Sequence, residues 1–381
     1  MKKTLIKVFA VCLCLCMVIP AFASCNKEKN DKFVIGLSGP LTGDAAVYGV
    51  AVKNSAQMAV DEINAAGGLN GVQFELIVTD DQHDSTKVAD NYANMIEQGM
   101  QVSLGCVTTA PGLEFSKLSL EDNVFFMTPS ASGDKIPENA NGYQMCFADG
   151  NQGAAAAKYV NESDLSKIGI FYKSDDPYSK GIYDQFKAAL NEDVTTIDAP
   201  FTGKASDFSA QIDLLKECTF VFMPIYYEPA SMFMTQAKDK LPATATYYGC
   251  DGFDGLETKF DVTTVPQEIT MLSHFNSKAT EGKAADYIKK YTEKFGTDTL
   301  NQFGASAYDC IYAIFGAMKA AIDAGTEIPT DISASDLCEI LKKQFNGGFT
   351  YSGATGENIK WQSNGYVDKA AIKFVIKEAN A

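Results

Sequence analysis

Arginine is absent from this chain of 381 residues, so all 32 of its basic residues are lysines. The guanidinium group binds phosphates and carboxylates through two parallel hydrogen bonds, and that mode of recognition is therefore excluded. Acidic residues outnumber basic ones by 48 to 32, which gives a formal net charge of −16. Because a surface of this sign repels a phosphate backbone, we expect no nucleic-acid partner.

Metal-ligating residues are also scarce or badly spaced. The only histidines are His83 and His274, and four of the ten cysteines lie within the first 25 residues. The other six are far apart and mostly within apolar runs: Cys106, Cys146, Cys218, Cys250, Cys310 and Cys338. Zinc sites use Cys and His at short, fixed spacings, so we expect no metal and predict buried free thiols that behave as small apolar side chains.

Motifs of catalysis and cofactor binding are missing as well. No Gly-x-Gly-x-x-Gly follows the first predicted strand, and neither a phosphate-binding loop nor a Gly-x-Ser-x-Gly elbow occurs. Neither histidine has a serine or cysteine nearby in a recognised arrangement. We therefore expect a protein that is not an enzyme and has no cofactor. An exported hydrolase is the alternative from another class, since distance along the chain does not exclude a catalytic triad in space.

The first 25 residues resemble an export signal. A basic segment, residues 1–7, precedes an apolar run, Val8–Ile19, that is too short for a full membrane span. The run ends in Phe22-Ala23-Ser24-Cys25, and small residues before a cysteine are typical of a lipoprotein cleavage site that leaves a lipidated Cys25. The alternative is a plain signal peptide that is cleaved nearby. Residues 26–32 then form a tether, and we expect a lipid-anchored body at the extracytoplasmic face of the bacterial cell membrane.

Strands and helices alternate along the rest of the chain. Short apolar runs alternate with helical stretches from Phe33 to about residue 147, and the alternation restarts near Gly153. Alternation of this kind requires parallel strands with right-handed crossovers, and the chain is too long for one compact core. We therefore predict an α/β protein with two Rossmann-like lobes, each built on a parallel central sheet.

Hydroxyl residues follow two predicted strands between residues 102 and 127. They are Thr108, Thr109, Ser130 and Ser132. Open α/β sheets bind ligands at the carboxyl ends of their strands. Pro111 is predicted at the first position of a helix, with Thr109 or Ala110 near its cap, and such a helix start favours an anion. The alternative interpretation is that these residues are ordinary caps and turns.

Other polar and aromatic residues occupy similar positions at predicted strand ends or helix starts. Together with the hydroxyl residues they are Tyr48, Thr109, Ser130, Ser132, Tyr178, Tyr226 and Asp251. Each alone could be a packing residue, but their recurrence in both units favours the walls of a small-ligand site. Asp80, Asp81 and Asp84 lack the spacing of a calcium loop, so we predict a solvated acidic loop there.

Several short segments, in this order and at this spacing, resemble a known family. They are Ser38-Gly39-Pro40 with Tyr48-Gly49, Glu62-Ile63-Asn64-Ala65-Ala66-Gly67-Gly68, Gln152-Gly153 with Ala156-Ala157-Lys158-Tyr159, and Asp207-Phe208-Ser209-Ala210. The chain from Ile35 to Ile376 is similar to the extracytoplasmic solute-binding proteins of ABC importers for leucine, isoleucine and valine, which have the type I periplasmic-binding fold.

That resemblance implies two lobes joined by three crossovers, with the ligand between lobes that close by hinge motion. The implied crossovers lie near Cys146–Asp149, His274–Asn276 and Tyr351–Ala354. The implied first lobe comprises residues 33–147 and 276–352, and the second comprises residues 148–275 and 353–381.

The resemblance also implies a role for each site residue. Thr109 and Ser132 would hold the α-carboxylate of an amino acid, and the backbone of Ser130 and Ala131 would contact the carboxylate or the ammonium. In the remaining set Asp251 would pair with the ammonium, Tyr178 and Tyr226 would close over the ligand from the second lobe, and Tyr48 would wall its side chain.

Two departures from the family pattern stand out. A cysteine pair of some members falls on His83 and Thr108, so that disulfide is absent here, and Asp251 replaces the glutamate of some relatives. With no arginine to pair with an acidic side chain, the resemblance implies a monomeric binding protein that delivers a neutral, branched-chain amino acid to an ABC permease. The alternative is a sensor of an amide or other small metabolite on the same fold.

Overall fold

The structure, a computed structural model, describes residues 31–138 and 140–379. The strands of these residues form two large sheets and one hairpin. The predicted signal peptide, Cys25 and most of the tether lie outside the described residues. No helix within the described ranges combines the length and the apolar character needed to cross a membrane.

The first sheet carries the strands of the first lobe in the order β2-β1-β3-β4-β5, all parallel. Its strands are β1 Phe33–Gly39, β2 Phe74–Asp80, β3 Val102–Ser103, β4 Phe126–Thr128 and β5 Gly142–Gln144. The helices between them are α1 Ala46–Ala65, α2 Val88–Glu97 and α3 Thr109–Glu121. All seven residues of β1 are buried, because helices cover both faces of a parallel sheet.

The second sheet carries the strands of the second lobe in the order β13-β10-β9-β8-β6-β7. Its strands are β6 Lys167–Lys173, β7 Thr195–Phe201, β8 Phe220–Met223, β9 Thr246–Gly249, β10 Glu268–Ser273 and β13 Ile372–Lys377. The helices are α4 Asp149–Asn161, α5 Pro177–Ala189, α6 Ser209–Leu215 and α7 Tyr227–Ala237. The central strands are parallel, as predicted, whereas β13 at one edge pairs antiparallel with β10.

Three further helices return to the first lobe after β10: α8 Gly282–Phe295, α9 Gln302–Asp323 and α10 Ala334–Asn346. Met58 of α1 packs with Tyr287 of α8, and Phe125 stacks on Phe345 of α10 at 5.4 Å. The antiparallel hairpin of β11 Thr350–Gly353 and β12 Gly356–Lys360 follows.

Side-chain caps define where several helices begin. Asp176 accepts a hydrogen bond from the Ser179 amide at 3.0 Å, with Pro177 at the first helical position of α5. Asn301 caps α9 through the Gly304 amide at 2.9 Å. Each cap satisfies one of the amide donors that a helix start leaves free.

The third crossing between the sheets lies later than the expected Tyr351–Ala354. The Trp361 indole donates to the Gln144 carbonyl of β5 at 2.7 Å, and the Gln144 amide donates to the Gly365 carbonyl at 3.0 Å. Residues 353–367 therefore remain with the first lobe, because Trp361 packs there against Phe345. The chain leaves one sheet for the other at residues 145–148, 274–281 and 368–371.

The six cysteines beyond residue 25 are all buried and unbridged, which confirms the prediction of free thiols. Burial raises the pKa of Cys146, Cys250 and Cys310, so these thiols are inert rather than nucleophilic.

Candidate functional site

A narrow cavity lies between the two lobes, beyond the carboxyl ends of their central strands. Its lining consists of Tyr48, Val107, Thr108, Thr109, Ser130, Ser132, Tyr178, Tyr226, Asp251, Gly252 and Phe303. This is where open α/β sheets place their ligands. The volume of the cavity is only about 10 Å³, about what one water molecule requires, so a solute enters only when the lobes or the lining side chains move apart.

The first-lobe wall is built on the start of α3. The helix begins at Thr109 with Thr108 as its N-cap, two residues earlier than the predicted start at Pro111. The Thr108 side chain makes no capping hydrogen bond. Thr109 is 2% exposed, and its Oγ1 has no hydrogen-bond partner among the residues that the structure describes. A buried hydroxyl beside an uncapped helix start is a suitable donor for an anion.

The loop after β4 brings Ser130 and Ser132 to the same wall, where both are buried. Ala131 does not line the cavity. Its amide donates to Thr128 Oγ1 at 2.9 Å, and its carbonyl accepts from Gln144 Nε2 at 3.3 Å. Because the amide and the carbonyl of Ala131 are already paired, we do not include Ala131 among the ligand contacts.

The second-lobe wall presents a buried carboxylate. Asp251 is 2% exposed and its Oδ1 accepts a hydrogen bond from the Tyr178 hydroxyl at 2.6 Å. The Gly252 amide donates to the same hydroxyl at 2.9 Å, and the Asp251 amide donates to Gln152 Oε1 at 2.9 Å. Burial raises the pKa of Asp251 to about 6, against the opposing effect of its hydrogen bond from Tyr178.

A second buried carboxylate lies behind the first. Asp149 begins α4 and is 2% exposed, and its amide donates to the Ser132 carbonyl at 2.8 Å. Its Oδ1 has no partner within residues 31–138 and 140–379. Burial, and then the negative charge of Asp251, raises the pKa of Asp149. Two buried carboxyl groups thus lie on the second-lobe side of the cavity, where a bound cation would favour their ionised forms.

Aromatic rings form the remaining walls. Tyr48 from α1 meets Phe303 from α9 edge-on at 4.8 Å, and Tyr226 stacks on Tyr178 at 4.5 Å with an interplanar angle of 14°. These rings give the cavity flat apolar surfaces, which suit a hydrocarbon side chain.

The lobes are in contact across the cavity. The Tyr48 hydroxyl of the first lobe donates to the Gly252 carbonyl at 2.6 Å and accepts from the Tyr227 amide at 3.4 Å. The Gln302 amide at the start of α9 donates to Asp254 Oδ2 of the second lobe at 2.9 Å. This arrangement is a closed one, in which a ligand would be shielded from water.

His83 and Thr108 occupy the positions where some family members have cysteines. His83 Nδ1 lies 2.8 Å from Thr108 Oγ1, so a hydrogen bond joins them. The prediction of a solvated acidic loop beside them is wrong for Asp81, which is fully buried and accepts from Ser38 Oγ at 3.1 Å. Burial raises the pKa of Asp81 to about 6.

Seven of the eight predicted site residues line the cavity, all except Ala131. The residues that the sequence did not single out are Val107, Gly252 and Phe303, with Asp149 and Gln152 behind them. Phe303 lies in the first turn of α9 and gave no sequence signal. Within the described ranges no cluster of three or more His, Cys, Asp or Glu side chains is arranged to hold a metal ion.

A family model described as periplasmic binding protein matches residues 32–372, nearly all of the described chain. The chain belongs to the periplasmic binding protein family. Its members are solute-binding proteins rather than enzymes, which agrees with the missing catalytic motifs.

Among the similar periplasmic binding proteins is the Leu/Ile/Val-binding protein BraC3 of Rhizobium johnstonii. It is 30% identical over 319 residues, which span 78% of this chain and 85% of that protein. The crystal structure of the leucine-binding protein LivK of Thermotoga maritima covers 92% of this chain and 98% of its own, at 21% identity and a TM-score of 0.79. The structure of a solute-binding protein of an ABC transporter from R. palustris, in complex with benzoate, covers 91% of this chain and 94% of its own, at 16% identity and a TM-score of 0.77. These similarities confirm the predicted type I periplasmic-binding fold.

Proposed function

We propose that the cavity binds one neutral α-amino acid as its zwitterion, with a branched hydrocarbon side chain. The observation that carries the proposal is the opposed polarity of the two walls. The uncapped helix start and the Thr109 hydroxyl, which has no hydrogen-bond partner among the described residues, face the cavity from one lobe, and buried Asp251 faces it from the other. A carboxylate pairs with the first wall and an ammonium with the second.

The neutral side chain follows from the other lining residues. None of the eleven lining residues is basic, so an acidic side chain on the ligand would be left without a partner. The walls beyond the polar groups are Val107 and aromatic rings, whose apolar surfaces suit a small aliphatic group. The named ligands of BraC3 and of the Thermotoga protein are consistent with this chemistry.

The benzoate complex of the R. palustris protein suggests an aromatic acid as a second candidate ligand. An aromatic acid has a carboxylate but no ammonium, and it would leave Asp251 buried without a counter-charge. We therefore favour the amino acid.

Isothermal titration calorimetry tests the choice. The described chain, titrated with the neutral amino acids and with benzoate at pH 7.5, should release heat with at least one branched aliphatic amino acid. Binding of benzoate alone would replace this proposal, and binding of neither would remove it.

Delivery to an ABC importer is the second part of the proposal, and it rests on the family. A knockout strain should take up the labelled ligand more slowly than its parent, and the full chain supplied on a plasmid should restore uptake. Unchanged uptake, together with a transcriptional response that depends on the ligand, would favour the sensor.

Lipidation of Cys25 is the third part. Metabolic labelling with an alkyne fatty acid should mark the full-length protein and leave Cys25→Ser unlabelled and released from the membrane. Retention of the label in Cys25→Ser would contradict the anchor.

We also propose that the protein is a monomer, which light scattering after size-exclusion chromatography tests directly.

A further inference from the structure

Thr108 carries a hydroxyl that the fold holds in an unusual way. As the N-cap residue of α3 it would ordinarily turn its side-chain oxygen to an amide of the first helical turn. Instead Thr108 Oγ1 pairs with His83 Nδ1 at 2.8 Å, and no capping bond forms. Thr108 is 2% exposed and lines the cavity, so this hydroxyl is buried at the ligand site.

His83 is itself firmly placed. Its amide donates to Asp81 Oδ1 at 2.9 Å, and its ring meets Tyr226 edge-on at 5.1 Å. Burial lowers the pKa of His83, which keeps the imidazole neutral near pH 7. A neutral imidazole either donates or accepts at Nδ1, depending on its tautomer.

The Thr108 hydroxyl keeps an unused hydrogen-bonding capacity with either tautomer of His83. A hydroxyl has one donor and two acceptor sites, and across residues 31–138 and 140–379 its one side-chain partner is His83. If His83 donates, the Thr108 hydrogen is free for an acceptor, and if His83 accepts, the Thr108 lone pairs are free for a donor. A ligand hydroxyl both donates and accepts, and it therefore fits both cases.

The Thr108 hydroxyl pairs with His83 and makes no bond to the helix start, which favours a contact with the side-chain end of the ligand over one with the carboxylate. In the proposed function, which this inference requires, Thr109 and Ser132 take the carboxylate and Asp251 takes the ammonium. Thr108 lies in the rest of the lining, with Val107 and the rings of Tyr48, Tyr226 and Phe303.

We infer that Thr108, oriented by His83, is a specificity-determining residue that raises the affinity for a β-hydroxy amino acid relative to its aliphatic isostere, in addition to the branched aliphatic amino acids of the proposed function. Threonine and valine have nearly the same shape and differ in one hydroxyl, so their comparison isolates this contact. An aliphatic wall alone discriminates poorly between such isosteres, whereas a buried hydrogen-bonding partner discriminates well.

The test is a cycle of two ligands and two proteins, measured by isothermal titration calorimetry. The ratio of the valine to the threonine dissociation constant is determined for the wild type and for Thr108→Val. We expect this ratio to fall about fivefold in Thr108→Val, the effect of one neutral hydrogen bond. His83→Ala should lower the same ratio in part, because the Thr108 hydroxyl loses its orientation.

Thr299→Val is the matched control. Its hydroxyl also pairs with a ring side chain, Tyr291, at 2.7 Å, but it lies outside the cavity lining, and the ratio should stay at the wild-type value. A ratio unchanged by Thr108→Val overturns the inference and leaves the proposed function in place. Failure of the wild type to bind any neutral amino acid overturns both.

Discussion

The Tyr48 hydroxyl of the first lobe donates a 2.6 Å hydrogen bond to the Gly252 carbonyl of the second lobe. The two residues are 204 positions apart in the chain, and both line the cavity. Burial raises the pKa of Tyr48, so the phenol keeps its proton and stays a donor. Closure of the lobes and the ligand wall therefore depend on the same side chain.

Tyr48→Phe should weaken closure and leave the fold intact. The Gly252 carbonyl loses its partner, the closed population falls, and we expect the dissociation constant to rise about fivefold, mainly through faster release. Stopped-flow release and small-angle scattering without ligand measure the two effects. Tyr247→Phe is the matched control, because the Tyr247 hydroxyl is buried without a partner among the described residues and lies away from the cavity. Equal release rates for wild type and Tyr48→Phe would contradict this role.

Asp251→Asn should lower the affinity for a neutral amino acid by at least tenfold. The substitution preserves shape and removes the charge that faces the ligand ammonium, and a charge-assisted hydrogen bond contributes about 1.5–3 kcal/mol. Isothermal titration calorimetry checks the loss, with Asp239→Asn as an exposed control. An affinity within twofold of the wild type would remove Asp251 from the site.

Binding should weaken as the pH falls through about 6. Burial raises the pKa of Asp251 to about 6, so below that pH the free protein carries a proton that the ligand ammonium must displace. Above pH 7 the carboxylate is ionised and the affinity should be constant, whereas at pH 5 it should be about tenfold lower. Titrations from pH 5 to 8 measure the curve, which should flatten in Asp251→Asn. A flat curve in the wild type would contradict the ion pair.

Thr109→Val should reduce the affinity more than tenfold with almost no change in the melting temperature of the free protein. The Thr109 hydroxyl has no partner within the described residues, so its removal breaks no internal hydrogen bond, but it deprives the ligand carboxylate of a donor. Calorimetry and thermal unfolding separate the two effects. Thr270→Val removes another buried hydroxyl that lacks a partner in the described chain, on β10 and away from the cavity, and its affinity should match the wild type. A large drop in melting temperature for Thr109→Val alone would indicate a structural role.

Much of the fold was predictable because it depends on local pattern. The short apolar runs and helical stretches that alternate from Phe33 onward, such as β1 and α1, are recognised in a short window of sequence. The start of α3 was less predictable. Proline is frequent at the first helical position, and Pro111 occupies the third.

Other predictions differ from the structure because they depend on contacts between residues that are distant in the chain. Trp361 keeps the residues that follow the β11–β12 hairpin on the first lobe through its bond to Gln144, a contact across 217 positions that no local pattern signals. Asp81 looked solvated because acidic residues flank it, but Ser38 from β1 covers it. Ala131 has the right position in the loop and the wrong partners, since Thr128 takes its amide.

The sequence alone determined the two α/β lobes, the family resemblance and seven residues that line the cavity. Local periodicity and turn residues indicate where strands end and helices start, so these features are predictable. Only the tertiary structure decided which groups are paired. It turned the Thr108 hydroxyl to His83, left the Thr109 hydroxyl without a partner in the described part of the chain, and placed Asp149 behind Asp251. Burial and hydrogen-bond partners depend on residues that are distant in the chain, and they determine the charge and donors that a ligand meets.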